Sequence, residues 1–193
     1  MIPMRSPRAQ LLHTTVLASF VALATALTLS PAACSIPPSA ATITLAALPS
    51  ETATEWNPVE QYLDHRCGGL DCHGDLQRNL IIYGCEGLRL DPNDVPGCVG
   101  PNSPPTTPAE YAATYRSLVA LEPVVMSEVV AAGGQEPDLL TFVRKARGEE
   151  AHKGGTLIDL TTQVGIDQDD CITSWLSGGT NTNACTLAVE LTP

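Results

Sequence analysis

Aromatic side chains make up only 4% of this 193-residue chain, so large rings can supply little of its core, and cross-links are the obvious compensation in a small domain. Basic residues are also scarce. Ten Lys and Arg stand against 21 Asp and Glu, for a formal net charge of -11, a balance that argues against nucleic acid or an anionic membrane surface as partner. After the N-terminal apolar stretch no run approaches membrane-spanning length. Also missing are a phosphate loop, Gly-x-Ser-x-Gly, His-Glu-x-x-His and a paired-carboxylate signature. No catalytic role is therefore expected.

The N-terminus reads as an export signal. Arg5 and Arg8 precede an apolar run from about Val16 to Leu29, too short to span a bilayer comfortably. The run ends at Ser30-Pro31-Ala32-Ala33-Cys34, which resembles a lipoprotein cleavage site and makes Cys34 the candidate lipid-bearing residue. The alternative is cleavage at an Ala-x-Ala-like site with Cys34 incidental. The expected organisation is a signal peptide over 1–33, a flexible Ala/Pro/Ser/Thr-rich tether over 34–55, and one domain over 56–193. Removal of the signal takes Arg5 and Arg8 with it and lowers the net charge to -13. Attachment to a membrane would then run only through lipid on Cys34, in the periplasm or at the outer membrane.

Capping signals place the helices. Asn57-Pro58-Val59-Glu60 predicts a helix start with Asn57 as cap, running into Cys67. Thr107-Pro108-Ala109-Glu110 predicts a second start, and Val124 to Ala132 a third helix stopped by Gly133-Gly134. Asp167 to Leu176 predicts a last helix, stopped by Gly178-Gly179. Leu80 to Tyr83 and Leu88 to Leu90 flank a Gly84-Cys85-Glu86-Gly87 turn and suggest a short hairpin or a pair of extended strands, whereas Leu139 to Val143 is open between strand and helix. The fold class is mainly α, with short extended segments and long loops.

Six cysteines follow Cys34, and in an oxidising compartment such thiols are paired or otherwise occupied. Proximity in sequence pairs Cys85 with Cys98 and Cys171 with Cys185. Each bridge would close a loop of roughly 15 residues, worth about 3 kcal/mol in the chain-entropy picture. The remaining two lie in Cys67-Gly68-Gly69-Leu70-Asp71-Cys72-His73-Gly74. Two cysteines followed at once by a histidine is the pattern that holds a haem covalently, with thioethers from the sulfurs and an axial bond from the imidazole. Four residues separate these cysteines rather than the usual two. Gly68-Gly69 offer the backbone freedom the longer loop needs.

On Cys67, Cys72, His73 and Gly74, with the preceding helix and the closing Trp175 helix, the chain resembles the exported cytochrome-c-like domains of bacterial lipoproteins. The resemblance implies a small helical domain carrying haem c, with Cys67 and Cys72 as attachment points and His73 as proximal iron ligand. It implies one-electron transfer to a redox partner protein in the envelope. Met126 and His152 are the two candidates for the sixth ligand, and the basic residues Arg144, Lys145, Arg147 and Lys153 around His152 are available to haem propionates or an acidic partner. Two alternatives stay open. Cys67 and Cys72 form a disulfide in a cofactor-free envelope lipoprotein with a binding or structural role, or Cys67, Cys72, His73 and His152 bind zinc.

Overall fold

In the computed structural model, residues 47–94, 96–98 and 104–190 are described. The residues read from sequence as an export signal, and Cys34, lie outside them. The described residues form six α-helices: α1 (Ala53–Cys67), α2 (Pro108–Val119), α3 (Pro123–Ala131), α4 (Thr141–Arg147), α5 (Gln163–Leu176) and α6 (Thr182–Glu190), with a 3-10 turn at Pro137–Leu139. No strand occurs among them, and no described helix is long and apolar enough to cross a membrane.

Helix α2 begins as its sequence dictates. Thr107 is the N-cap, its hydroxyl accepts from the Glu110 backbone, the Glu110 carboxylate accepts from the Thr107 backbone, and Pro108 occupies the first turn. Helix α3 runs out into Gly133 and Gly134, both at positive φ (71° and 75°), which a glycine adopts without steric cost. Helix α1 departs from its sequence reading. Its N-cap is Thr52, not Asn57, so Pro58 lies inside the helix. The expected hairpin is reduced to a single bridge between Tyr83 and Leu88, because the neighbouring backbone donors go elsewhere. Ile81 and Tyr83 donate to the hydroxyls of Ser117 and Thr114 on α2. The ambiguous Leu139–Val143 segment is the junction of the 3-10 turn and α4. Helix α6 has no counterpart in the sequence reading.

The few aromatics are concentrated at one place. Trp56 of α1, Tyr115 of α2 and Trp175 of α5 meet with centroid separations of 4.9–6.3 Å, and all three are buried. Each polar tip finds a carbonyl: Trp56 Nε1 donates to Tyr111, Trp175 Nε1 to Ser50 and Tyr115 Oη to Pro49. Buried aromatics need such partners, since an unmatched donor in a core costs more than a bond gains. Two of these bonds fasten residues 49 and 50 to the helices, within the segment read from sequence as tether.

Two disulfides reinforce this core. Cys85 is joined to Cys98 and Cys171 to Cys185, the pairing expected from sequence proximity. The second bridge ties α5 to α6 at buried positions.

Candidate functional site

Cys67 is the last residue of α1, so the helix delivers it directly to the loop that carries Cys72 and His73. That loop is closed by its own backbone. The Gly68 N–H caps α1 on the Asp64 carbonyl, Cys72 donates to Gly69 (2.8 Å), His73 to Cys67 (3.0 Å) and Gly74 to Gly69 (3.0 Å). Arg78 completes it by donating to the carbonyls of Asp71 and Cys72. The glycines serve proximity rather than an unusual φ: a Cβ on Gly74 or Gly87 would overlap the Gly68 carbonyl, and one on Gly84 the Asp64 carboxylate. Gly68 itself has φ -76°.

Cys67 and Cys72 are both free thiols. Burial pushes the Cys67 thiol up to about 12, with the Arg66 guanidinium opposing and Cys72 adding to the rise. Cys72 is exposed, and its thiol is raised by partial burial and by the Asp71 carboxylate.

His73 is held in one orientation. Its Nδ1 lies 3.1 Å from the Leu80 carbonyl, so Nδ1 carries the proton and Nε2 is left with its lone pair. This is the arrangement of an imidazole ready to ligate a metal. Burial lowers the His73 pKa, with His152, Arg78 and Lys145 adding in the same direction and the Leu80 carbonyl opposing. The neutral ring is therefore favoured. Across from it stands His152, with ring centroids 5.9 Å apart and planes inclined by 15°.

Two adjoining cavities, of about 520 and about 450 Å³, share Cys67, His73, Arg78, Lys145, His152 and Leu157. The first has an apolar wall of Leu63, Leu80, Leu121, Phe142, Ala146 and Ile172. The second adds Cys72 and is rimmed by Arg66, Arg78, Lys145 and Lys153, with Asp71 as its single acidic residue. In a strongly acidic chain this is a local reversal of sign. Arg66 Nε is also buried without a hydrogen-bond partner, which leaves a donor for an anionic group.

These residues fit a c-type haem. Two free thiols, an oriented imidazole, an apolar wall and a cationic rim are the donor set and surroundings that such a group requires. A bare zinc ion fits less well. The close-set group of ligand atoms among the described residues is Asp64, Cys85 and Cys98, whose two sulfurs are spent in a disulfide.

The other sequence candidates fall elsewhere. Met126 is 1% exposed in the core on α3 and lines neither cavity. His65, which no reading of the sequence places at the site, lies 3.6 Å from Glu86. Of the basic residues around His152, Arg147 is paired with Asp169 at 2.8 Å, and Arg144 and Lys145 with Glu150 at 3.2 and 3.5 Å. Only Lys145 and Lys153 of that group reach the cavities. Arg66 and Arg78 were not singled out in the sequence, although both lie within six residues of a motif cysteine and carry the charge a buried anion needs.

A second buried cluster lies on α1 just ahead of the Gly68–Gly74 loop. Glu60 and Asp64, one turn apart on α1, are almost wholly buried, and both Glu60 oxygens and Asp64 Oδ1 lack hydrogen-bond partners. Burial raises Glu60 to about 9, helped by the charges of Asp64 and Glu110. Asp64 rises to about 6 for the same first reason, although the Glu86 N–H opposes it. Glu110 behaves differently. Burial pushes it up, but hydrogen bonds from Thr107 and Leu90 and the bidentate Arg89 guanidinium outweigh that and hold it below the usual range.

Comparison with known proteins yields no match to a family model, a curated protein or a solved structure.

Proposed function

We propose that this chain is a c-type haem protein of the bacterial cell envelope that passes electrons singly to a redox partner protein. The observation that carries the reading is the convergence of the free thiols Cys67 and Cys72 and the oriented His73 on one pair of adjoining cavities. When bound, a haem supplies a one-electron iron couple.

The chain's own residues would do the rest. Cys67 and Cys72 would hold the group covalently and His73 Nε2 would bind its iron, with the Leu80 carbonyl fixing that ring's tautomer. Leu63, Leu80, Leu121 and Phe142 keep water from one face, while Arg66, Arg78, Lys145 and Lys153 stand where carboxylates need partners. No acid-base or nucleophilic chemistry on a substrate is assigned, and the protein is read as a carrier rather than an enzyme. The sequence reading of residues 1–33 as an export signal and of Cys34 as a lipid-bearing site supports placement in the periplasm or at the outer membrane, with attachment through that lipid.

The test is export of the full chain in cells that possess the haem-attachment machinery. A Soret band that survives denaturation and acid-acetone extraction, lost on His73→Ala, supports the reading. A colourless protein with Cys67 and Cys72 joined to each other by mass spectrometry overturns it in favour of a cofactor-free, disulfide-stapled envelope lipoprotein.

A further inference from the structure

The two disulfides sit in different surroundings. Cys171 and Cys185 are 0% and 1% exposed where α5 meets α6. In the other bridge Cys85 is buried but Cys98 is exposed, and a carboxylate oxygen of the buried Asp64 lies within 4.8 Å of both sulfurs. Among the described residues no acidic or histidine group stands so close to both sulfurs of the Cys171–Cys185 bridge.

Asp64 is held against this bridge from both sides of Cys85. Its Oδ2 accepts from the Glu86 N–H at 3.1 Å, and Gly84 packs on the same carboxylate with no room for a side chain. Its Oδ1 is buried with no hydrogen-bond partner, a costly state for an acceptor with nothing to do. The groups that face the carboxyl are Glu60 on α1, Glu86 in the turn, Glu110 and Tyr111 on α2, and Arg89. Burial raises Asp64 to about 6, with the charges of Glu86 and Glu110 adding to the rise and the Glu86 N–H and Arg89 opposing it. Both protonation states are populated around that pH, as a group that gives and takes a proton requires.

Thiol–disulfide exchange needs one sulfur that a thiolate can reach and a second that can leave with the electron pair. Cys98 is the reachable one. Cys85 would leave into a buried environment that disfavours a thiolate, beside a carboxyl able to neutralise it. We propose that Cys85–Cys98 is a dithiol-exchange site, in which Cys98 receives the attack of a dithiol reductant and Asp64 passes the proton to Cys85. The thiolate of the reductant bonds to Cys98 Sγ, the Cys85–Cys98 bond breaks, and its electron pair leaves on Cys85 Sγ, which takes the Asp64 proton. The second thiolate of the reductant then attacks its own sulfur in the mixed disulfide and frees Cys98. The reductant departs as a disulfide. Its two released protons balance the one drawn from Asp64 and the one Cys98 takes from water. Oxidation runs the same steps in reverse, with Asp64 as the base. This site is independent of the haem reading, because none of its groups lines either cavity.

The experiment uses the full exported chain, its free thiols first blocked so that only sulfurs released by reduction are labelled. Dithiothreitol is expected to open Cys85–Cys98 while Cys171–Cys185 stays closed, and glutathione to leave its adduct on Cys98. Opening rates divided by the thiolate fraction of the reductant are expected to fall about tenfold or more between pH 5 and pH 8. Asp64→Asn should flatten that profile, and His65→Gln, which removes the imidazole beside Glu86, should keep it. Equal resistance of the two bridges, or an adduct on Cys85, overturns the proposal. A flat corrected profile in the wild type also overturns it, whether or not the Asp64 variant folds.

Discussion

Gly87 packs against the carbonyl oxygen of Gly68 with no room for a side chain between them. The contact joins the turn closed by the Tyr83–Leu88 bridge to Gly68, the first residue beyond α1 and the neighbour of Cys67. Gly87→Ala is expected to cost about 1–3 kcal/mol through overpacking. It should accelerate amide exchange at Cys72, His73 and Gly74 more than at the α5–α6 core. Urea unfolding together with hydrogen exchange checks this, and wild-type exchange in the loop would rule it out.

The hydrogen bond from His73 to Leu80 predicts a tautomer. In protein prepared without haem, ring nitrogen shifts at neutral pH should report Nδ1 protonated and Nε2 bare. Heteronuclear spectra of histidine-labelled protein make the measurement, and an Nε2–H tautomer would contradict it.

Glu60 predicts the pH dependence. Its pKa is raised from 4.5 to about 9 in the folded chain, so between those values the native state keeps a proton that the unfolded chain has released. Stability therefore falls as pH rises through that window, and Asp64 adds a smaller fall between its ordinary 3.8 and about 6. Glu60→Gln removes the ionisable group from the site. It is expected to flatten the decline and to raise the urea midpoint at pH 8 relative to wild type. A Glu60→Gln profile parallel to wild type would count against a protonated Glu60.

Trp175 anchors both the aromatic cluster and Ser50. Trp175→Ala is expected to lose about 3–5 kcal/mol, enough to unfold a marginal domain. Trp175→Phe keeps most of the apolar area but leaves the Ser50 carbonyl without its donor, and should lose less. Thermal melts of the two variants establish the order.

The Cys171–Cys185 bridge joins α5 to α6 across a sequence separation of 14, worth about 3 kcal/mol by loop entropy. The double serine variant is expected to melt lower and to expose the α6 face to protease. Unchanged melting and proteolysis would mean that helix packing alone holds α6.

Some of this was legible along the chain because it depends on neighbours in sequence. The Thr107–Glu110 capping box spans three residues, and the Gly133-Gly134 stop needs only glycines at positive φ. Helix α1 was misplaced at its start for an equally physical reason. Pro58 resembles a first-turn proline, but the burial of Trp56 and the hydrogen bonds that fix residues 49 and 50 carry the helix back to Ala53. The hairpin was lost because hydroxyls on α2, some thirty residues away, captured the strand donors. Helix α6 is nine residues long and follows directly on the Gly178-Gly179 stop, so the chain reads there as a tail, and the burial of Ala184, Cys185 and Ala188 with the cross-link to α5 is what places it.

By itself the sequence determined the mainly helical class, the two local cross-links and the motif at Cys67, Cys72 and His73, since each is written in residues close together. Only the tertiary structure decided what faces that motif. It set His152 beside His73 and left Met126 in the core, and it gathered Arg66, Arg78, Lys145 and Lys153 at one rim of an acidic protein. The reason is that ligand geometry and local charge depend on distances through space, which the packing of α1, α4 and α5 fixes and no spacing along the chain records.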